Sequence, residues 1–170
     1  MIDINYAEIK RYDVANSPYV GSSLFVSGCT NNCEGCFNEQ LQNFNYGHKW
    51  TIEVEDLFIK YLQDKQVKHA NLLGGEPMQQ DSETLLHLVK RIKTETDVAI
   101  WCWTGCLFED LIKKEDKVEI LKYIDVLIDG KFDKSKRDLK LKYRGSSNQR
   151  VIDVPKSLHK GSVILHEKYN

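Results

Sequence analysis

The chain lacks several features that would assign it to a well-defined class of protein. None of its apolar runs approaches the roughly 20 residues that a membrane-spanning helix needs. Its net charge is only −1 over 170 residues, so no overall charge attracts it to nucleic acid or to an anionic membrane surface. We therefore expect neither a membrane nor a nucleic acid among its partners.

Proline is scarce, and internal repeats and low-complexity segments are missing. Only three prolines occur, and no linker rich in proline, glycine and serine divides the chain. We therefore expect residues 1–170 to form one domain with a single core. The first residues show neither a basic nor an apolar signal region, and the number of cysteines, five, is odd. These features predict a cytoplasmic protein with reduced cysteines.

Three of the five cysteines stand close together. Cys29, Cys33 and Cys36 have the spacing Cys-x3-Cys-x2-Cys within eight residues. Three thiolates can hold three irons of a [4Fe–4S] cluster, which normally takes four protein ligands, and the fourth iron then stays open to a ligand from outside. A structural zinc site is the alternative, although zinc sites usually show a second Cys or Cys/His pair. The chain has no such pair, and its remaining thiols are Cys102 and Cys106.

Short apolar runs alternate with amphipathic helical patterns along the chain. We predict strands at 24–26, 70–73, 98–103, 126–128 and 151–154, with one more at 162–165. Helices are predicted at 51–63, from Asp81 or Ser82 to Ile92, and at 107–123. This alternation is typical of an α/β fold with a mostly parallel sheet. The strands are too few for a closed eight-stranded barrel, so we expect an open, partial barrel.

Unusual residues follow the ends of the predicted strands. Cys29 follows the first, Gly74-Gly75-Glu76-Pro77 the second, Thr104-Gly105 the third and Asp129-Gly130-Lys131 the fourth. In parallel sheets, sites gather at the carboxyl ends of the strands. Taken alone, Gly-Gly-Glu-Pro is a tight strand-to-helix turn. Beside the cysteines, its glutamate and exposed backbone groups suit an ammonium group.

The two motifs together resemble those of the radical S-adenosylmethionine (SAM) enzymes, in which Cys-x3-Cys-x2-Cys follows the first strand and Gly-Gly-Glu-Pro the second. Four further segments are similar to the enzymes that activate the anaerobic ribonucleoside-triphosphate reductase. They lie at 33–38, 103–105, 128–132 and 144–150, the last being Arg-Gly-Ser-Ser-Asn-Gln-Arg. The resemblance covers roughly residues 10–153 and implies an open, partial (β/α) barrel of the radical SAM type.

The resemblance also implies the chemistry. Cys29, Cys33 and Cys36 would hold a [4Fe–4S] cluster whose open iron binds SAM. Reduced by a flavodoxin-like donor, the cluster would cleave SAM to a 5′-deoxyadenosyl radical. That radical would generate a glycyl radical on the reductase. Because cofactor and cosubstrate carry the chemistry, no catalytic side chain is expected.

The resemblance further implies a set of SAM-binding residues. Glu76 and the backbone of Gly74 and Gly75 would hold the SAM ammonium group. Gly35, Cys36 and Phe37 are further members of this set, and Gly35 and Phe37 would lie beside the adenine or methionine. Lys131 would pair with the SAM carboxylate, and Thr104 or Asp129 would bond the ribose hydroxyls or the methionyl end. Two alternatives stay open: a radical SAM enzyme that acts on a small molecule or peptide, and a zinc-binding module without enzymatic activity.

Lysines and arginines crowd residues 131–144. Aspartates at 129, 133 and 138 dilute this charge, so we interpret the stretch as a solvated face or a lid rather than as a nucleic-acid surface. The motif at 144–150 is compatible with a role either at the SAM pocket or at a partner surface.

Overall fold

A computed structural model describes residues 4–170 of the chain. The strands are β1 (Asn5–Asp13), β2 (Gly21–Ser27), β3 (His48–Lys49), β4 (His69–Gly74), β5 (Ala99–Trp103), β6 (Val126–Asp129) and β7 (Arg150–Asp153). The α-helices are α1 (Ile52–Leu62), α2 (Ser82–Glu95), α3 (Phe108–Leu111), α4 (Glu115–Leu121) and α5 (Val154–Lys160). Short 3-10 helices occupy Glu39–Gln42, Pro77–Gln79 and Lys134–Lys136.

All seven strands belong to one open sheet with the order β3-β1-β2-β4-β5-β6-β7. The central strands β2, β4, β5 and β6 are parallel neighbours. At the two sides, β1, β3 and β7 pair antiparallel. The prediction of an α/β fold around a parallel sheet is thus confirmed for its centre. Within residues 4–170, no helix combines the length and the apolar character needed to cross a bilayer.

The main core lies between one face of the sheet and the helices. Every second residue of the parallel strands points into it, as the strand period of two requires; examples are Leu24, Leu72, Ile100 and Leu127. Helix α2 contributes Leu85, Leu88, Val89 and Ile92 to this core. Asp81 caps its first turn by accepting a hydrogen bond from the Thr84 amide. A smaller cluster around Trp101 covers part of the opposite face.

Four sequence predictions were wrong or incomplete. Strand β1 was missed because its exposed, charged side chains hide the strand pattern. The predicted helix at 107–123 is two short helices, α3 and α4. Instead of the strand predicted at 162–165, the structure has a single antiparallel β-bridge between Ile152 and Leu165. Helix α5 was not predicted.

Candidate cofactor site

The four parallel strands all end at one edge of the sheet, and the loops that follow them carry the motifs. Cys29 lies just beyond β2, Glu76 just beyond β4, Thr104 directly after β5 and Lys131 just beyond β6. Their position follows from the parallel pairing, which brings the carboxyl ends of the strands to the same side.

The cysteine loop after β2 is tightly turned. Gly28 has a φ of +108°, and a Cβ there would lie 2.1 Å from the ring of Phe44. The Cys36 amide donates to the Cys33 carbonyl over 3.2 Å, closing a turn whose Gly35 has a φ of +72°. All three thiols of the loop are free and partly exposed. The backbone thus presents Cys29, Cys33 and Cys36 from one short loop.

The donor chemistry of this loop fits an iron–sulfur cluster. Among the described residues, no group of three or more His, Cys, Asp or Glu side chains is placed to hold a single metal ion. A cubane has a different requirement, since each thiolate binds a separate iron. Burial raises the pKa of Cys29, and the nearby Glu76, Cys33 and Cys36 raise it further. The thiol is therefore favoured over the thiolate until a metal binds and displaces its proton.

A buried carboxylate ties three of the loops together. Glu76 is 1% exposed, and its Oε1 accepts from the Met78 amide over 3.0 Å. Its Oε2 accepts from the Gly105 amide at 2.6 Å and from Asn31 Nδ2 at 3.1 Å. Burial raises the pKa of Glu76, whereas hydrogen bonds from Thr104, Gly105, Met78 and Asn31 oppose the rise. Glu76, which is predicted to bind the SAM ammonium group, thus already accepts hydrogen bonds from the segments after β2, β4 and β5.

The two glycines before Glu76 allow the loops after β2 and β4 to meet backbone to backbone. A Cβ on Gly75 would lie 2.6 Å from the Gly28 carbonyl oxygen and 2.8 Å from that of Leu41. Gly74 has a φ of +108°, and its Cβ would approach the backbone of Val26 within 2.7 Å. The sequence analysis assigned this space to the approach of a ligand. The structure fills it with neighbouring backbone, and a SAM contact of these glycines stays a prediction.

Asp129 lies within a network of protein partners. It is fully buried and accepts from the Phe108 amide at 2.9 Å and from Arg150 Nε and Nη2 at 2.9 and 2.5 Å. Arg150 also makes two hydrogen bonds to Glu109, at 2.9 and 2.7 Å. Asp129 therefore fixes the start of α3 and the beginning of β7. Any contact with SAM, as predicted for Asp129, would come in addition to these bonds.

Thr104 and Lys131 lie on different parts of the same edge. Thr104 is buried, and its hydroxyl accepts from the Cys106 amide over 3.0 Å. Lys131 is exposed and lines a groove of about 680 Å³ together with Asn31 and Gly105. This volume falls within the range of about 300–1,000 Å³ found for small-molecule sites. Since Asn31 and Gly105 both bind Glu76, the groove begins beside that carboxylate.

Phe37 points away from a closed pocket. Its side chain is 64% exposed, its ring lies 5.4 Å from that of Phe132, and the Arg137 guanidinium lies 5.2 Å from its centroid. Phe37 is thus placed against the loop that follows β6. The contacts of Asn31 and Arg150 were not predicted from the sequence, although both residues lie within the cysteine loop and the motif at 144–150.

Comparison with known proteins first defines the class of this site. Residues 16–152 match the family described as a 4Fe-4S single cluster domain. This match includes the cysteine loop and the motifs after the other three parallel strands. The protein therefore belongs among those that carry a single iron–sulfur cluster.

Curated relatives narrow the class. The anaerobic ribonucleoside-triphosphate reductase-activating protein of Vibrio cholerae is 41% identical over 150 residues, which cover 86% of this chain and 96% of the relative. The protein of that name in Escherichia coli K12 is 38% identical over 152 residues, or 87% and 97% of the two chains. The one in Enterobacteria phage T4 is 37% identical over 150 residues, or 87% and 93%. The chain belongs to the family of anaerobic ribonucleoside-triphosphate reductase-activating proteins, as its motifs indicated.

Replacing Gly75 by alanine tests the close contact between the loops after β2 and β4. Its Cβ would meet two backbone oxygens, which cannot move independently of their loops. We expect Gly75→Ala to lower the free energy of unfolding by about 2–3 kcal/mol, toward the upper end for overpacking. Gly161→Ala is the control, because its φ of +80° costs about 1 kcal/mol in open space. Urea denaturation measures both, and an equal or smaller loss for Gly75→Ala would contradict the packing argument.

The ion pair between Arg150 and Glu109 predicts a pH dependence. Hydrogen bonding from Arg150 lowers the pKa of Glu109 to about 2, against 4.5 for an unperturbed glutamate. The native state therefore binds fewer protons than the unfolded state between these values, so the stabilisation is complete above pH 4.5 and is lost as the pH falls towards 2.

Urea midpoints of the wild type and Glu109→Gln, measured from pH 7 downwards, check this expectation. The difference between the two proteins should stay constant down to about pH 5 and then shrink as the pH falls further. A difference that does not change between pH 7 and pH 3 would show that the pair contributes no pH-dependent stability.

Proposed function

We propose that this chain is a radical SAM activase that generates a glycyl radical on the anaerobic ribonucleoside-triphosphate reductase. One observation carries the proposal: the cysteine loop and the Gly74-Gly75-Glu76 turn are joined directly. The Glu76 amide donates to the Gly28 carbonyl over 2.9 Å, and Asn31 of the cysteine loop donates to the Glu76 carboxylate. The names of the curated relatives support the reductase as the target.

The three cysteines would be the only protein ligands of the cluster. Cys29, Cys33 and Cys36 supply soft thiolate ligands, the type that iron–sulfur clusters take. When bound, the cluster would supply one electron for the cleavage of SAM to methionine and a 5′-deoxyadenosyl radical, which then takes a hydrogen atom from a glycine of the reductase. The Asn31 amide, 3.4 Å from Cys29 Sγ, would stabilise the sulfur charge from the protein side.

The groove beside Glu76 would receive SAM. Lys131 would offer an ammonium group to the SAM carboxylate, and Gly74 and Gly75 would offer backbone groups to its ammonium. The Glu76 carboxylate would add a negatively charged acceptor for the same ammonium group, and it holds the loops in register through its own hydrogen bonds. Thr104 or Asp129 would bond the ribose hydroxyls or the methionyl end of SAM, in addition to the hydrogen bonds that each accepts from the segment after β5.

Gly35 and Phe37 would border the cosubstrate from the cysteine loop. Gly35 keeps that side of the loop free of a side chain, and Phe37 offers an apolar ring. Neither residue needs to exchange a proton, since the cofactor and the cosubstrate carry the chemistry.

The open sheet would be a partial (β/α) barrel of the radical SAM type, formed by residues 1–170 as one domain. A protein substrate suits an open barrel, because the partner can supply the wall that the sheet lacks. The electron would come from a flavodoxin-like donor. We place the reaction in the cytoplasm, where a reducing environment protects the thiols.

Anaerobic reconstitution tests the proposal. After reduction with dithionite and addition of SAM, the wild type should hold one [4Fe–4S] cluster and form 5′-deoxyadenosine. Cys29→Ala, Cys33→Ala and Cys36→Ala should each lose the cluster absorbance and the product. Cys102→Ala is the matched control, because its thiol is fully buried in the main core, and it should keep both.

The same experiment separates the alternatives. A glycyl radical signal in electron paramagnetic resonance after addition of the reductase would identify the protein substrate. SAM cleavage without that signal, together with turnover of a free metabolite or peptide, would favour a different radical SAM enzyme. Colourless protein with stoichiometric zinc would contradict the proposed activity.

A further inference from the structure

The loop that follows β6 carries a concentrated positive charge. Residues 131–142, here called the basic loop, contain six lysines and arginines but two aspartates, a local net charge of +4 in a chain whose net charge is −1. Among the described residues, Lys131, Arg137, Lys140 and Lys142 have no ion-pair partner. The charge of Arg137, Lys140 and Lys142 is therefore available to a partner protein, whereas Lys131 also lines the groove proposed for SAM.

The Arg-Gly-Ser-Ser-Asn-Gln-Arg motif holds this loop in place. Asn148 donates to the Lys131 carbonyl over 2.8 Å, and Gln149 Nε2 donates to the Gly130 carbonyl over 3.0 Å. The hydroxyl of the buried Ser146 accepts from the Asp133 amide over 3.1 Å. Several contacts of the motif thus go to Gly130 and to the backbone of the basic loop, so the motif helps to fold that loop.

The basic loop lies directly against the cysteine loop. Lys134 Nζ is 3.2 Å from Glu34 Oε1, and a Cβ on Gly35 would lie 3.4 Å from the Lys134 side chain. The Arg137 guanidinium lies over the ring of Phe37, next to Cys36. The basic loop therefore contacts Glu34, Gly35 and Phe37, which are sequence neighbours of Cys33 and Cys36.

Exposed apolar side chains accompany this charge. Leu139 is 82% exposed and Phe37 is 64% exposed. A partner protein that docks on the basic loop would cover these apolar side chains together with the neighbouring cations. Lys131, at the start of the basic loop, also lines the groove beside Asn31 and Gly105, so a partner on the basic loop would lie next to that groove.

We propose that the basic loop is the docking surface for a small acidic one-electron carrier protein that reduces the cluster. This inference rests on the proposed function. The carrier loses one electron and the cluster gains it, with no bond formed and no proton transferred. An electron carrier must bring its redox centre close to the cluster, and the basic loop adjoins the cysteine loop. Its charge selects an acidic partner and accelerates the encounter at low ionic strength.

A charge-reversal variant tests this proposal, with flavodoxin in its hydroquinone form as the probe. In the reconstituted enzyme, the triple variant Lys136→Glu, Lys140→Glu and Lys142→Glu should lower the second-order rate constant of cluster reduction at least about 10-fold at low salt. The dissociation constant for flavodoxin should rise by a similar factor. Both effects should fade as the ionic strength rises, because salt screens exposed charges.

A matched variant controls for net charge. Lys60, Lys65 and Lys68 are exposed and lie before β4, at the opposite edge of the sheet. Their triple replacement by glutamate changes the net charge equally and should leave both constants within about 2-fold of the wild type. Cluster reduction by dithionite, which needs no docking, should be unchanged in both variants.

The outcomes distinguish this inference from the proposed function. If the basic-loop variant bound flavodoxin and was reduced by it as the wild type is, the proposal that the basic loop is the docking surface would be overturned. An equal loss of binding and reduction in the control variant would overturn it as well. Normal flavodoxin binding with lost reductase binding would overturn it too, because the surface would then serve the reductase. A wild-type enzyme that flavodoxin reduces but that never cleaves SAM would refute the proposed function and leave the docking result standing.

Discussion

The carboxylate of Glu76 accepts hydrogen bonds from the loops that follow three neighbouring strands of the sheet. The donors are the Met78 amide, the Gly105 amide and the side chain of Asn31. Leaving a buried carboxylate without donors would cost several kcal/mol, so these groups must stay in place for the charge to remain. The position of the cysteine loop relative to the other loops therefore depends on this one side chain. Gly74 and Gly75 also hold the cysteine loop in position, because without side chains they allow the segment after β4 to contact the backbone of β2 and of the loop that follows it.

The elements that depend on local pattern could be predicted from the sequence. The parallel strands, α1 and α2 follow from apolar periodicity, and the Asp81 cap follows from the preference for short polar side chains at helix starts. The common edge for the motifs follows from parallel pairing alone. Two of the antiparallel strands were missed, because β1 carries exposed, charged side chains and β3 has only two residues, whereas β7 was predicted within one residue.

What the sequence could not reveal are contacts between residues far apart in the chain. Asn31 and Glu76 are separated by 45 positions, and Arg150 and Glu109 by 41. No local pattern encodes such pairs, so the hydrogen bonds that Asp129 accepts from Phe108 and Arg150 could not be predicted, and its contact with SAM stays a prediction. The motif at 144–150 illustrates the same limit, since its binding partners lie in the loop that starts at Gly130. One edge of the sheet thus combines a cofactor loop, a groove and a basic surface.

Amide hydrogen exchange in Glu76→Gln tests the central role of this carboxylate most directly. The amide side chain keeps the shape of glutamate but loses the charge and turns a donor towards the donors around it. Loss of a hydrogen bond to a charged group, worth about 1.5–3 kcal/mol, predicts roughly 10- to 100-fold faster exchange of the Gly105 amide. Exchange in the middle of α2 should stay unchanged. Unaltered exchange at Gly105 would contradict the claim that Glu76 holds the loops of the site together.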